Sequence, residues 1–155
     1  MGVIADYVAA ANAGTLPRAV CRLESGWVVL GDPQVLPGYC VLMADPVVGT
    51  LNDLTGERRA AYLADMARVG DAVLAVTGCV RANYGILGNV APELHAHVFP
   101  RYADEPDDLR LQAVWHYDWN AAPPFSEGDH GALRDRLRAA LTDERSGSAS
   151  PAGRP

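Results

Sequence analysis

The stretch Glu93-Leu94-His95-Ala96-His97-Val98-Phe99-Pro100-Arg101 decides how the rest of the chain is read. Side chains along a strand point alternately to the two faces of a sheet. Glu93, His95 and His97 therefore share one face, and Leu94, Ala96 and Val98 share the other. The first face is polar and carries two of the chain's 4 histidines. The second is apolar and needs a cover. Pro100 is expected to end the strand.

The cover is legible upstream. Tyr62, Met66, Val69, Val73 and Val76 recur with the period of one helical face, Thr55 can serve as an N-cap, and Gly78 is a natural C-terminal stop. A helix over 55–77 is expected to lie on the Leu94, Ala96, Val98 face. Working outward, an Ala-rich helix is expected over 3–12, ended by Gly14 and Pro17. Strands are expected at 19–24 and 27–30 around a Ser25-Gly26 turn. Breaks at Gly31-Asp32-Pro33-Gln34 and Pro37-Gly38 precede a third strand, Tyr39 to Ala44. Strand character returns over 79–87, followed by a loop from Gly88 to Pro92. An acidic loop is expected over 103–108, and Leu133, Leu137 and Leu141 mark a second short amphipathic helix. Strands before and after one long helix, with hairpin-length connections, predict an α+β fold with antiparallel pairing. The open edge of such a sheet predicts a homodimer. From Ser146 onward the chain is too polar to build a core, so a single domain of 1–145 and a disordered tail of 146–155 are expected.

Composition removes several classes of function. The chain has 155 residues, enough for one domain with a sizeable core. All 13 basic residues are arginine, which excludes a P-loop lysine, a Schiff-base lysine and a lysine general base. A net charge of −6 argues against nucleic acid as a partner. Cys21, Cys40 and Cys79 are scattered, which speaks against a disulfide framework or a zinc knuckle. The N-terminus has no basic region followed by an apolar core, and no apolar run approaches the ~20 residues of a membrane span. A reduced, cytoplasmic location with no membrane partner is the expectation.

The polar face of residues 93–97 admits several readings. It is an ordinary solvated face, or one of the two histidines is a nucleophile toward phosphorus and the other a hydrogen-bond or proton donor. Alternatively the two histidines hold a metal ion, with a third ligand such as His116. Glu93 and His97 stand ~13 Å apart along a strand, too extended for one coordination sphere. No tightly bound metal and no cofactor are therefore expected.

Asn83-Tyr84-Gly85-Ile86-Leu87-Gly88-Asn89, then Pro92, then Leu94-His95-Ala96-His97-Val98-Phe99-Pro100-Arg101-Tyr102 resembles the histidine triad (HIT) family, in particular its diadenosine-tetraphosphate-hydrolase-like branch. Asp32 to Tyr39 and Leu51 to Thr55 extend the likeness, which covers about 20 to 105. The resemblance implies a five-stranded antiparallel sheet with two main helices, paired as a homodimer. It also implies hydrolysis or nucleotidyl transfer at the α-phosphorus of a nucleotide, through a nucleotidyl-histidine on His95. By the same resemblance His97 is the last triad histidine, Asn83 and Asn89 lie at the substrate, Asn83 at its phosphate, and Asp32 falls near the acid that holds the ribose.

The chain departs from the family pattern at two places. Glu93 stands where the first triad histidine would be, and Ala44-Asp45-Pro46-Val47 lacks a histidine common after the third strand. A carboxylate ~6 Å from a phosphate costs ~3 kcal/mol at an effective dielectric near 20. Glu93 is then neutral, paired with an arginine such as Arg101, or facing a substrate with no phosphate there. The alternatives to nucleotide chemistry are an enzyme using Glu93 as acid or base on another small molecule, and a nucleotide-binding module without turnover. Trp115, His116, Tyr117 and Trp119 are expected to pack as a C-terminal segment, and His130 to lie on the surface.

Overall fold

The structure, a computed structural model, describes residues 2–143. Five strands form one antiparallel sheet: β1 (Ala19–Arg22), β2 (Gly26–Leu30), β3 (Cys40–Ala44), β4 (Arg81–Gly85) and β5 (His95–Arg101), in the order β1-β2-β3-β5-β4. Four helices surround it: α1 (Val3–Asn12), α2 (Gly56–Thr77), the short α3 (Asp107–Arg110) and α4 (Glu127–Thr142). The register places Met43 opposite His95, Val41 opposite His97 and Asn83 opposite Phe99. The expected tail, 146–155, lies outside the described residues. No helix among the described residues is long and apolar enough to cross a membrane.

The apolar face is covered as its alternation requires. Leu94, Ala96 and Val98 are buried with Val28, Leu42, Tyr62, Val69 and Val73, and α4 adds Leu137 and Leu141. The Tyr62 hydroxyl donates to the Leu42 carbonyl at 2.9 Å, tying α2 to β3. Gly78 ends α2 at φ 69°, in the left-handed region that favours glycine.

The opposite face differs from a solvated one. Ile4 and Val8 of α1 pack with Val29, Tyr39, Val41, Met43, Phe99 and Val114, so this side is a second core. The reason lies in β3, whose five residues, Cys40 to Ala44, are all buried and largely apolar on both faces. α1 and the segment around Val114 are the second cover.

Element ends also differ from their sequence signals. β5 begins at His95, two residues after Glu93, and runs through Pro100 to Arg101. β3 pairs with β5 only as far as Val98, so proline at position 100 removes no donor from that ladder. Residues 103–108 are not all loop, because Pro106 opens α3 with Asp107 and Asp108 in its first turn. α4 is longer than its leucines indicate. Ser126 accepts from the Asp129 amide at 3.1 Å, and His130 Nδ1 accepts from the Ser126 amide at 3.0 Å. That bond, and stacking on Phe125 at 5.7 Å, bury His130 rather than leaving it on the surface.

Candidate active site

β5 lies between β3 and β4; His97 is paired on both edges, with Val41 and Gly85, whereas His95 is paired with Met43 of β3 alone. The two rings meet edge to face with centroids 4.8 Å apart. His95 is buried, and its Nδ1 lies 2.7 Å from the Glu93 backbone carbonyl. A carbonyl only accepts, so Nδ1 carries the hydrogen and Nε2 of the neutral ring keeps its lone pair.

His97 is placed differently. Its Nδ1 lies 2.6 Å from the Tyr39 hydroxyl, its ring is parallel to Phe99 at 5.7 Å, and Trp115 meets it edge-on at 5.6 Å. Burial, and then neighbouring His95, push its pKa down to about 4, so the ring is neutral at pH 7. Burial raises the Tyr39 hydroxyl above its ordinary pKa. Trp119 stacks on Trp115 at 5.4 Å and meets Tyr39 and Phe99 edge-on, closing an aromatic wall beside His97.

Glu93 is divided between two neighbours. Its carbonyl holds His95, while its carboxylate lies against Gly2, the N-cap of α1. A Cβ at position 2 would fall 1.3 Å from Glu93 Oε1, so a larger residue there would push the Glu93 carboxylate aside. Oε2 is buried without a hydrogen-bond partner among the described residues. The carboxylate is not paired with Arg101. Arg101 donates to both oxygens of Glu105, to Asn83 Oδ1 at 3.0 Å, and to the carbonyls of Leu109, Arg110 and Gln112.

The other expected site residues are scattered. Asn83 is half-buried on the same sheet face as Phe99, one strand outward from the histidines. It borders an open groove of about 680 Å³ shared with Arg81, Arg101 and Gln112, whose lining takes in neither His95 nor His97. Asn89 is exposed in the loop between β4 and β5. Asp32 is exposed beyond the end of β2, where Oδ1 accepts from the Phe125 amide at 2.9 Å. It stands past the row Leu30, Cys40, Val98, away from the His95 end of β5. His116 is exposed, and among the described residues no group of three or more His, Cys, Asp or Glu side chains is placed to hold a metal ion.

Tyr39 is expected from the sequence only as the start of the third strand, with no part in the site. Its signal is the register: Cys40 opposite Val98 places residue 39 level with Phe99, diagonal to His97. That relation is invisible until the strand pairing is known. The expected packing of residues 115–119 holds only in part: Trp115 meets His97 and Phe99 and Trp119 meets Phe99, but Trp115 is 47% exposed and His116 is exposed.

The sequence matches no protein-family model and no curated protein. Among solved structures, a histidine triad protein from Marinobacter aquaeolei VT8 aligns with a TM-score of 0.72 at 19% identity, over 91% of this chain and 96% of that one. A histidine triad protein from Bradyrhizobium japonicum aligns at 0.70 and 21% identity, over 79% and 89%. One from Sinorhizobium meliloti 1021 aligns at 0.66 and 24% identity, over 77% and 85%. At these identities the likeness establishes a shared fold, the five-stranded antiparallel α+β architecture.

Proposed function

We propose that this chain, built on the fold of the histidine triad proteins, hydrolyses or transfers a nucleotidyl group through His95. The observation that carries this reading is the His95 Nδ1 bond to the Glu93 carbonyl, which leaves the Nε2 lone pair free on a residue held in the ladder opposite Met43 of β3. Nε2 attacks the α-phosphorus, an N–P bond forms, and the bond to the leaving group breaks with its electron pair. Water then attacks phosphorus, the N–P bond returns its pair to Nε2, and the water's proton goes to solvent. The carbonyl at residue 93 serves whatever side chain that residue carries, so loss of the first triad histidine does not remove the bond that orients His95.

Asn83 fits a phosphate contact. Arg101 holds its amide oxygen, which turns the NH2 group and its two donors the other way. The Glu93 carboxylate sits at the positive end of α1, which offsets part of its repulsion toward an anionic substrate. β4 is an open edge beside exposed Tyr84, Leu74 and Leu87, and we infer that two copies of the chain pair there. The test is turnover of adenosine 5′-phosphoramidate and of a dinucleoside polyphosphate. Wild type is expected to turn over at least one, and His95→Ala to lose about a thousandfold or more. Equal rates in the two proteins would refute the assignment.

A further inference from the structure

We propose that Tyr39 is a positioning residue that fixes His97 as a neutral hydrogen-bond donor, so that His97 steadies charge on a phosphoryl oxygen and passes no proton to the leaving group. This rests on the nucleotidyl reading of His95 above.

Tyr39 is 4% exposed, and its hydroxyl has one hydrogen-bond partner among the described residues, His97 Nδ1 at 2.6 Å. One proton lies between the two atoms. If Nδ1 carried it, the hydroxyl hydrogen would be buried with no acceptor, an arrangement that folded proteins avoid. The hydroxyl therefore donates, Nδ1 accepts, and the ring hydrogen sits on Nε2. The neighbouring ring has the reverse arrangement, because a carbonyl rather than a hydroxyl faces its Nδ1. Two adjacent imidazoles are thus held in opposite tautomers, His95 with a bare Nε2 and His97 with Nε2–H.

The titratable groups facing His97 agree. His95 on β5 and burial both oppose protonation of His97, Tyr39 is held protonated by burial, and Arg18 acts on Tyr39 only against that larger effect. Phe99 and Trp115 complete the surround without charge. A neutral ring that gave up its Nε2 proton would become an imidazolate. The one relief is for Tyr39 to pass its own proton to Nδ1 and become a buried phenolate, which the same burial opposes. His97 accordingly keeps its proton throughout. In the first step the N–P bond forms at His95, the leaving group departs with its electron pair, and solvent supplies the leaving group's proton.

The test needs no variant at its first stage. Long-range 1H–15N spectra of wild-type protein with 15N-labelled histidine at pH 7 are expected to show His97 protonated on Nε2 and bare at Nδ1, with Nδ1 coupled to the Tyr39 hydroxyl proton. His95 is expected in the opposite form. His97 protonated on Nδ1, or on both nitrogens, would overturn the proposal. The second stage uses adenosine 5′-phosphoramidate. His97→Gln, which keeps a neutral N–H at similar reach, is expected within about tenfold of wild type, and His97→Ala 10²- to 10³-fold down, the usual cost of removing such a donor. Tyr39→Phe is expected to lower kcat at nearly constant KM and to mix the His97 tautomers. Loss in His97→Gln as large as in His97→Ala would mean that His97 gives up a proton, and the proposal fails. An inactive wild type with the stated spectra would overturn the reading of His95 and leave the hold of Tyr39 on His97 supported.

Discussion

At His97 the fold works against protonation, and this gives stability a pH dependence of known sign. The ring's pKa falls from 6.5 to about 4 on folding. Between those values the unfolded chain binds more protons than the folded one, so stability is complete above 6.5 and declines as the pH falls through the window. Denaturant midpoints at pH 7 and pH 5 check this: His97→Gln is expected to show the smaller drop, and equal drops would contradict it. Glu93 yields a second prediction at this scale. Its carboxylate lies at the start of α1. Glu93→Gln should cost about 0.3–1 kcal/mol, the usual worth of a charge at a helix end, with turnover within about threefold. A collapse of turnover with stability intact would give the carboxylate a role as acid or base.

Among the elements, the segment that follows β5 depends on one buried pair. Arg101 and Glu105 are 7% and 8% exposed, and Glu105 also accepts from the Tyr102 amide and the Tyr117 hydroxyl. Burial alone would raise the Glu105 pKa. The hydrogen bonds from Arg101, Tyr117 and Tyr102 outweigh it and hold the carboxyl below its ordinary 4.5. Its contribution to stability is therefore complete above 4.5 and is lost as the pH falls through the lower folded value. Glu105→Ala strands the Arg101 charge and is expected to cost about 3–5 kcal/mol. It should also loosen Trp115 from His97 and Trp119 from Phe99, read as a red shift in tryptophan emission below the unfolding transition. An unshifted spectrum would show that the pair does not hold the wall.

This clasp has no periodic signature, and neither has the contact of Tyr39 with His97; both join residues through loops and register. The elements that were legible bury one regular stripe, as with Tyr62, Val69 and Val73 against Leu94, Ala96 and Val98. Where a boundary rests on a single side chain, the pattern says less. His130 reads as a surface residue until its ring is seen accepting from Ser126, and Pro100 reads as a strand end until β3 is seen to stop at the Val98 row. Alternation puts His95 and His97 on one face and the family resemblance makes them a candidate pair, whereas the placement of Asp32 depends on a loop whose path neither specifies.

In the molecule as a whole, both sheet faces are covered and the edges are left. The β4 edge, with Tyr84 45% and Leu87 51% exposed nearby, is where a second copy would extend the sheet. Light scattering at micromolar concentration should return the mass of a dimer; a monomer mass would remove the pairing and leave the fold untouched. The proposed attack by His95 would leave a nucleotide joined to one ring nitrogen. Intact-mass and peptide spectrometry of wild-type protein, quenched soon after mixing with adenosine 5′-phosphoramidate, tests this most directly. The account predicts one adenylyl group mapped to His95 and absent from His95→Ala. Turnover with no adduct at any quench time, or an adduct on His97 in its place, would contradict it.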